Sequence, residues 1–299
     1  MTIMYRQGRI EDSFAVFQVF VKTIMDYSER MNVMGITGGN DPEVLKSLWQ
    51  KRQSMFEFLV RVASQFWVAE KDGEIVAYAR AMEHDGLQEL TEFFVLPGQQ
   101  SGGLGRQLLA RAFPQTDARY RTIIATLDER ALSRYLRAGV YARFPLKYFS
   151  RKAESVEMET DLVIEPLQTK THLEKMNQID KQIIGHSRPT VHEWIATTRE
   201  GFVYRRGSEI VGYGYVGSSS GPFAMLDEND FPAVLAHAES LRAEKGGAFG
   251  VEPPLINRKA IQYFMDRKYQ IDSFTVLFMS NAPFGRFENY LCFSPEFFM

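Results

Sequence analysis

Apolar residues recur at helical spacing over residues 13–27, where Phe14, Phe17, Val21 and Ile24 fall on one face and predict an amphipathic helix. A second helical run covers about 41–64. The period then drops to two. In FWVAEKDGEIVAYARAM, an apolar strand at 66–70, a Lys71-Asp72-Gly73 turn and a strand from Ile75 predict a hairpin. QELTEFFVLP predicts a further strand, stopped by Pro97, whose nitrogen has no proton to give a ladder. A glycine-rich turn leads into a helix with Leu104, Leu108, Leu109 and Ala112 inward. RTIIATL reads as a short buried strand, and DERALSRYLRAG as a helix with Asp128 as N-cap and Gly139 as C-cap.

Residues 150–160, SRKAESVEMET, are polar and aperiodic and read as a linker. After them the pattern starts again: a strand at LVIEPL, a helix at 171–184, a hairpin in FVYRRGSEIVGYGYV, a helix at about 230–244, the strand GAFGVEP, the helix NRKAIQYFMDR and the strand FTVLFM. Two domains are expected, 1–152 and 160–299, of the α/β (mixed α+β) class and with the same order of elements. The aromatic tail FGRFENYLCFSPEFFM is too apolar to hang in water and is expected to pack on a domain or a second subunit.

Composition narrows the function. At 299 residues, 45% hydrophobic and 24% charged, the chain has the makeup of a globular protein with a well-filled core. A net charge of −2 gives no electrostatic reason to expect nucleic acid or an anionic membrane as partner. No apolar run approaches a membrane span, and MTIMYRQGRIEDS has no apolar core ahead of its charges, so no secretory leader is expected. One cysteine, Cys292, rules out an intrachain disulfide, and five histidines without HxH or HxxxH spacing predict no metal site. A cytoplasmic protein, monomeric or homodimeric, is expected.

The candidate chemistry lies in QQSGGLGRQLL, residues 99–109. A strand, a glycine turn and an apolar helix make an anion site, because unpaired N–H groups converge at the helix start and the helix dipole adds positive charge there. A Walker P-loop counted from Gly98 fails, since Leu104 and Gly105 stand where Lys and Ser/Thr belong. A dinucleotide fingerprint on Gly103 and Gly105 fails at Leu108. A plain glycine-rich loop remains open on these residues alone.

Gln100-Ser101-Gly102-Gly103-Leu104-Gly105 also matches the Q/R-x-x-G-x-G/A motif of the GCN5-related N-acetyltransferases (GNAT). Val95-Leu96-Pro97 lies where that family has V-x-P at the end of its fourth strand. Asp128 to Val140 resembles N-x-R-A-x-x-x-Y-x-x-x-G-F, with Arg130, Ala131, Tyr135 and Gly139 matching and Asp128 and Val140 departing. Residues 3–150 thus resemble this family strongly, and the second half resembles the degenerate partner domain of bacterial tandem members.

The resemblance implies two domains, each a twisted mixed, mainly antiparallel sheet flanked by helices, with a splay between strands four and five. It implies acetyl-CoA as cosubstrate, its pantetheine arm along Phe94, Val95 and Leu96. Gln100, Ser101, Gly102, Gly103, Leu104, Gly105 and Arg106 would surround its pyrophosphate, with Asp128 and Ala131 nearby. Glu89 takes the place of the general base and Tyr135 that of the acid that protonates the thiolate. Glu92, an odd number of residues from Glu89, is expected on the opposite strand face. The implied acceptor is a primary amine of a small molecule or peptide. A non-catalytic acyl-CoA sensor or scaffold is the alternative, kept open by Asp128 in place of Asn.

In the second half, Asp227, Glu228 and Asp230 stand where the glycine turn would be, and Phe264 stands in the place of Tyr135. Carboxylates at that helix start suit its dipole and repel a pyrophosphate. Asp180, His186 and Arg188 are expected in a solvated loop, with a pocket lining as the alternative. His84-Asp85 is a weaker candidate for the acceptor side.

Overall fold

A computed structural model of the chain describes residues 3–100 and 102–292. Ser101 and the last seven residues of the aromatic tail, 293–299, lie outside the described residues. Internal contacts divide the chain into two units. Unit 1 runs up to Tyr141 and takes in 279–282, and unit 2 holds 142–278 and the residues from Pro283 on.

Unit 1 runs β1 (Ile3–Gln7), α1 (Ser13–Met31), α2 (Pro42–Val62), β2 (Gln65–Lys71), β3 (Glu74–His84), β4 (Leu87–Val95), α3 (Leu104–Ala112), β5 (Tyr120–Thr126) and α4 (Glu129–Arg137). The sheet order is β1-β2-β3-β4-β5. All pairs are antiparallel except β4 with β5, which is parallel. Asn281, also in this unit, accepts from the Arg121 amide of β5 at 2.8 Å and returns its own amide at 3.1 Å.

Local chemistry accounts for the boundaries. Asp72 and Gly73 both have positive φ, 54° and 85°, as a tight right-twisted hairpin turn requires. Asp41 caps α2 by accepting from the Glu43 amide at 2.8 Å, and Pro42 opens the helix where no N–H is needed. The α1 stripe is centred on Val16, Phe17 and Val21, all fully buried, with the Phe17 ring edge-on to Phe56 at 5.3 Å. Phe14, predicted on the inner face, falls on its flank; it is 40% exposed and rests on Trp49 at 5.4 Å.

Unit 2 runs β6 (Tyr141–Lys152), β7 (Val163–Pro166), α5 (Thr169–Ile183), α6 (Pro189–Ile195), β8 (Glu200–Arg206), β9 (Glu209–Val216), β10 (Phe223–Met225), α7 (Phe231–Glu244), β11 (Ala248–Val251), α8 (Arg258–Asp266), β12 (Gln270–Ser280) and β13 (Tyr290–Leu291). One sheet has the order β13-β10-β9-β8-β7, and β12, β6 and β11 are neighbours in that order. β6 follows the first half in sequence yet belongs to unit 2, where it pairs with β11. The polar stretch at 150–160 is not free. Its first three residues are strand, Ala153 is buried, and the amides of Glu154 and Val156 donate to Glu239 and Ser240 of α7 at 3.2 and 2.8 Å.

Each unit has its own hairpin of the same register. In β2–β3, Lys71 faces Glu74, a bulge falls at Val76, and Val68 faces Tyr78. In β8–β9, Arg206 faces Glu209, the bulge falls at Val211, and Val203 faces Tyr213. The strands Glu74-Ile75-Val76-Ala77-Tyr78 and Glu209-Ile210-Val211-Gly212-Tyr213 therefore coincide residue for residue. The Leu96 amide then donates to Val76 at 2.9 Å, as the Leu226 amide does to Val211 at 2.8 Å.

Asp180 and Arg188 are not in a solvated loop, which corrects the expectation for that segment. Both are at most 1% exposed, as is His186. Arg188 donates to Asp180 at 2.8 Å, to the Tyr290 hydroxyl at 2.7 Å and to the Tyr213 hydroxyl at 2.6 Å. Tyr213 donates to Asp180, and His192 joins Asp180 at 2.8 Å and Tyr215 at 3.0 Å. A buried charge survives only when every lone pair and proton is met, and here α5, α6, β9 and β13 converge to meet them. Burial pushes the Asp180 carboxyl up, but the charges of Arg188 and His192 outweigh it and hold the group well below the usual carboxylate range. Its stabilisation is therefore complete above its unfolded pKa of about 3.9 and lost as pH falls through the lower folded value. Asp180→Ala, which strands Arg188, should cost about 3–5 kcal/mol in chemical denaturation at pH 7; a loss under about 1 kcal/mol would refute this reading of the cluster.

Candidate active site

β4 and β5 pair only over Leu87↔Tyr120 to Leu90↔Ile123. Beyond that rung they part, because β4 carries an extra residue. Leu90 faces Ala81 and Glu92 faces Arg80, so Thr91 is a bulge against β3. A bulge bends its strand and ends regular pairing. The gap is a cleft walled by Leu90 to Val95 of β4, by Ile123, Ile124 and Thr126 of β5, by Thr23, Ile24, Tyr27 and Arg30 of α1, and by Arg130, Ala131, Arg134 and Tyr135 of α4. Asp128, Gln100 and Gly105 complete it.

The bulge also corrects the expected placing of Glu92. Glu89 faces Met82 and Glu92 faces Arg80, two residues apart on a regular stretch of β3, so the two carboxylates share a strand face despite their odd spacing. Their surroundings differ. Glu89 sits in the paired part of β4, facing Thr122 of β5, is 1% exposed and does not line the cleft. Glu92 lines it, accepts from the Tyr78 hydroxyl at 2.9 Å and meets Arg80 Nε at 2.9 Å. Burial pushes the Glu92 carboxyl up; the Arg80 charge and the Tyr78 bond pull it back without cancelling the rise. Arg80 is held in turn by the Phe56 carbonyl at 2.8 Å. Tyr78 and Arg80 were missed in the sequence, although two polar side chains at i and i+2 of an apolar strand are a signal that one buried face carries chemistry.

The glycine turn leaves its helix open. Gly102 and Gly103 have φ of 74° and 81°, which a side chain would strain. A Cβ on Gly102 would meet nothing within 4 Å, and on Gly103 only the tip of Arg106 at 3.8 Å. Asp41, Asp128 and Asn257 cap α2, α4 and α8; among the described residues no side chain caps α3, as none caps α1, α5, α6 or α7. Gly105 serves packing instead: its Cβ would come to 3.3 Å from the Phe93 ring and 3.4 Å from Arg134. Leu104 is buried and Arg106 exposed.

Among the residues implied by resemblance, Phe94, Val95, Gln100, Gly105, Asp128, Ala131 and Tyr135 all line the cleft. Leu96, Gly102, Gly103, Leu104 and Arg106 are not in its lining, and the Leu96 amide is spent on Val76. The Gln100 amide donates to the Val95 carbonyl at 3.3 Å, and its oxygen accepts from Arg130. Asp128 caps α4 through the Arg130 amide at 2.9 Å and pairs with the side chains of Arg130 and Arg30, each at 2.8 Å. Burial raises its carboxyl, but these bonds prevail and hold it well below the usual range. Tyr135 is 5% exposed, its ring edge-on to Phe93 at 6.3 Å, and burial raises its phenol well above the ordinary value. His84 and Asp85 sit at the β3–β4 turn, at the end of β4 away from the stretch that lines the cleft.

Unit 2 has counterparts of several of these positions. Asn257 caps α8 through the Ala260 amide at 3.0 Å, which puts Phe264 where α4 has Tyr135. Asp227 accepts from the Asn229 amide at 2.9 Å, and Asp230 accepts from Arg206 at 2.7 Å, so carboxylates occupy the approach to α7. Among the described residues no helix is long and apolar enough to cross a membrane and no side chains cluster as metal ligands.

Comparison with known proteins follows the geometry. The family described as "Acetyltransferase (GNAT) domain" matches residues 63–144, from β2 to the start of β6. A protein from Pyrococcus horikoshii, described as a candidate acetyltransferase, is similar over 96% of this chain and 92% of its own, with a TM-score of 0.69 at 15% identity. A tandem GNAT protein from the clavulanic acid biosynthesis pathway covers 95% of this chain and 100% of its own, with a TM-score of 0.60 at 12% identity. A GCN5-related N-acetyltransferase from Sphaerobacter thermophilus covers 93% and 95%, with a TM-score of 0.59 at 12% identity. No curated protein matches in sequence. At these identities the solved structures speak for the fold alone, and the family match speaks for residues 63–144, the segment that resembles a GNAT acetyltransferase domain.

Proposed function

We propose that unit 1 is an acetyl-CoA-dependent N-acyltransferase acting directly on a primary amine of a small molecule or peptide. One observation carries the reading: the uncapped glycine turn of α3 adjoins an unpaired edge of β4 in a cleft that also holds Tyr135 and Glu92. Bare amides at a helix start suit a pyrophosphate. The free edge suits an amide-bearing arm laid beside it as an added strand, which aims the thioester between β4 and β5.

The residues then divide the proton work. Glu92 takes a proton from the incoming ammonium, for which a raised carboxyl is matched. The neutral amine forms a bond to the thioester carbon and the carbon–sulfur bond breaks. Tyr135 gives its proton to the departing thiolate and recovers one from the new amide nitrogen. Both side chains are buried, which strengthens each interaction.

The test is thiol release from acetyl-CoA over a panel of primary amines, beside calorimetric binding of coenzyme A. Turnover with at least one amine is expected; binding without turnover on any amine would favour a sensor, and no binding would overturn the reading. Glu92→Gln keeps an acceptor for Tyr78 but cannot take a proton. It should lower kcat/KM about 100-fold and remove the rise of rate with pH on the acidic limb. If Glu89→Gln removes that limb and Glu92→Gln does not, the base is Glu89.

A further inference from the structure

The cleft of unit 1 has a counterpart in unit 2, and it is filled by the chain itself. Phe93 faces Ala79 as Phe223 faces Gly214, and Val95 faces Ala77 as Met225 faces Gly212, so β10 stands for the open stretch of β4. The edge of β4 beyond Leu90 is unpaired by β5, whereas β10 pairs on that side with β13, Phe223 to Leu291 and Ala224 to Tyr290. The next residue, Cys292, bridges to Glu252 just past β11, donating its amide at 3.0 Å. The segment is thus strung between β10 on one side and the end of β11 on the other.

Its side chains complete the replacement. In unit 1 the Val95 carbonyl accepts from Gln100; in unit 2 the corresponding Met225 carbonyl accepts from the Asn289 amide at 2.7 Å. Arg286 donates to the Leu226 carbonyl at 3.0 Å, beside the acidic approach to α7. Tyr290 is tied to buried Arg188, and Asn289, Tyr290, Leu291 and Cys292 are all at most 2% exposed.

We propose that Arg286–Cys292 is a built-in peptide ligand of unit 2, occupying as a strand the slot that unit 1 keeps open. Unit 2 is therefore a strand-accepting groove, and the chain takes one coenzyme A, not two; this stoichiometry rests on the function proposed for unit 1.

The chain's single cysteine reports the plug without any mutation. In the native full-length protein, Cys292 should react with a thiol reagent at least ~1000-fold more slowly than in denaturant, since reaction must await local opening. Saturating coenzyme A should leave that rate unchanged, and calorimetry should count one site. Asn289→Ala should speed labelling roughly tenfold by releasing the Met225 carbonyl, with coenzyme A affinity unaltered. Labelling as fast as in denaturant, acceleration by coenzyme A with two sites, or no effect of Asn289→Ala would overturn the proposal. No bound coenzyme A with Cys292 still protected, and loosened by Asn289→Ala, would sink the reading of unit 1 alone and support the strand replacement.

Discussion

Gly103→Asp should reduce coenzyme A affinity at least ~100-fold, beyond reach in ordinary calorimetry, while the fold persists. Two effects add. The backbone at φ 81° is strained by any side chain, at a cost of about 1 kcal/mol. The larger effect is a carboxylate placed at the bare start of α3, where it caps the helix that should hold the pyrophosphate and repels it. Gly103→Ala carries the strain without the charge and should lose far less. Because among the described residues only the Arg106 tip lies near the added Cβ, the thermal midpoint of both variants should move only a few degrees. Equal losses for Ala and Asp would mean that the turn is a structural requirement and no anion site.

Tyr135→Phe should lower kcat by about 100- to 10,000-fold with coenzyme A affinity nearly unchanged. The phenol is held above its ordinary value by burial first and by the Asp128 charge second, so it stays protonated across the working pH range and is always ready to donate. The variant should therefore lower the rate at every pH without shifting either limb of the profile. Phenylalanine preserves the ring contact with Phe93, and unit 2 already accommodates it at the corresponding Phe264 of α8. Unchanged turnover in a stopped assay of thiol release would remove Tyr135 from the chemistry.

Much of the fold was legible because it is written in local terms. The Asp72-Gly73 turn, the Asp128 cap and the spacing of Leu104, Leu108 and Leu109 each follow from one residue's conformational or hydrogen-bonding needs. β6 was not legible as part of unit 2, since strand partners are chosen by tertiary contacts that no short window contains. The acid–base cluster around Asp180 and Arg188 looked solvated for the same reason: its hydroxyls come from Tyr213 and Tyr290, 33 and 102 residues from the groups they serve. In the cleft, the three motifs located Gln100, Gly105, Asp128 and Tyr135. The pairing of Arg80 with Glu92 escaped them, because a bulge cannot be seen in an alternating pattern.

That one supernumerary position has reach beyond its own rung. Deleting Thr91 would restore an unbroken alternation with Glu92 still opposite Arg80, and should let the rest of β4 zip onto its parallel neighbour, closing the cleft without changing a single other amino acid. The opening is encoded as a residue count, not as a residue type. An alignment free to place a gap there would erase the one feature that separates an open sheet from a sealed one.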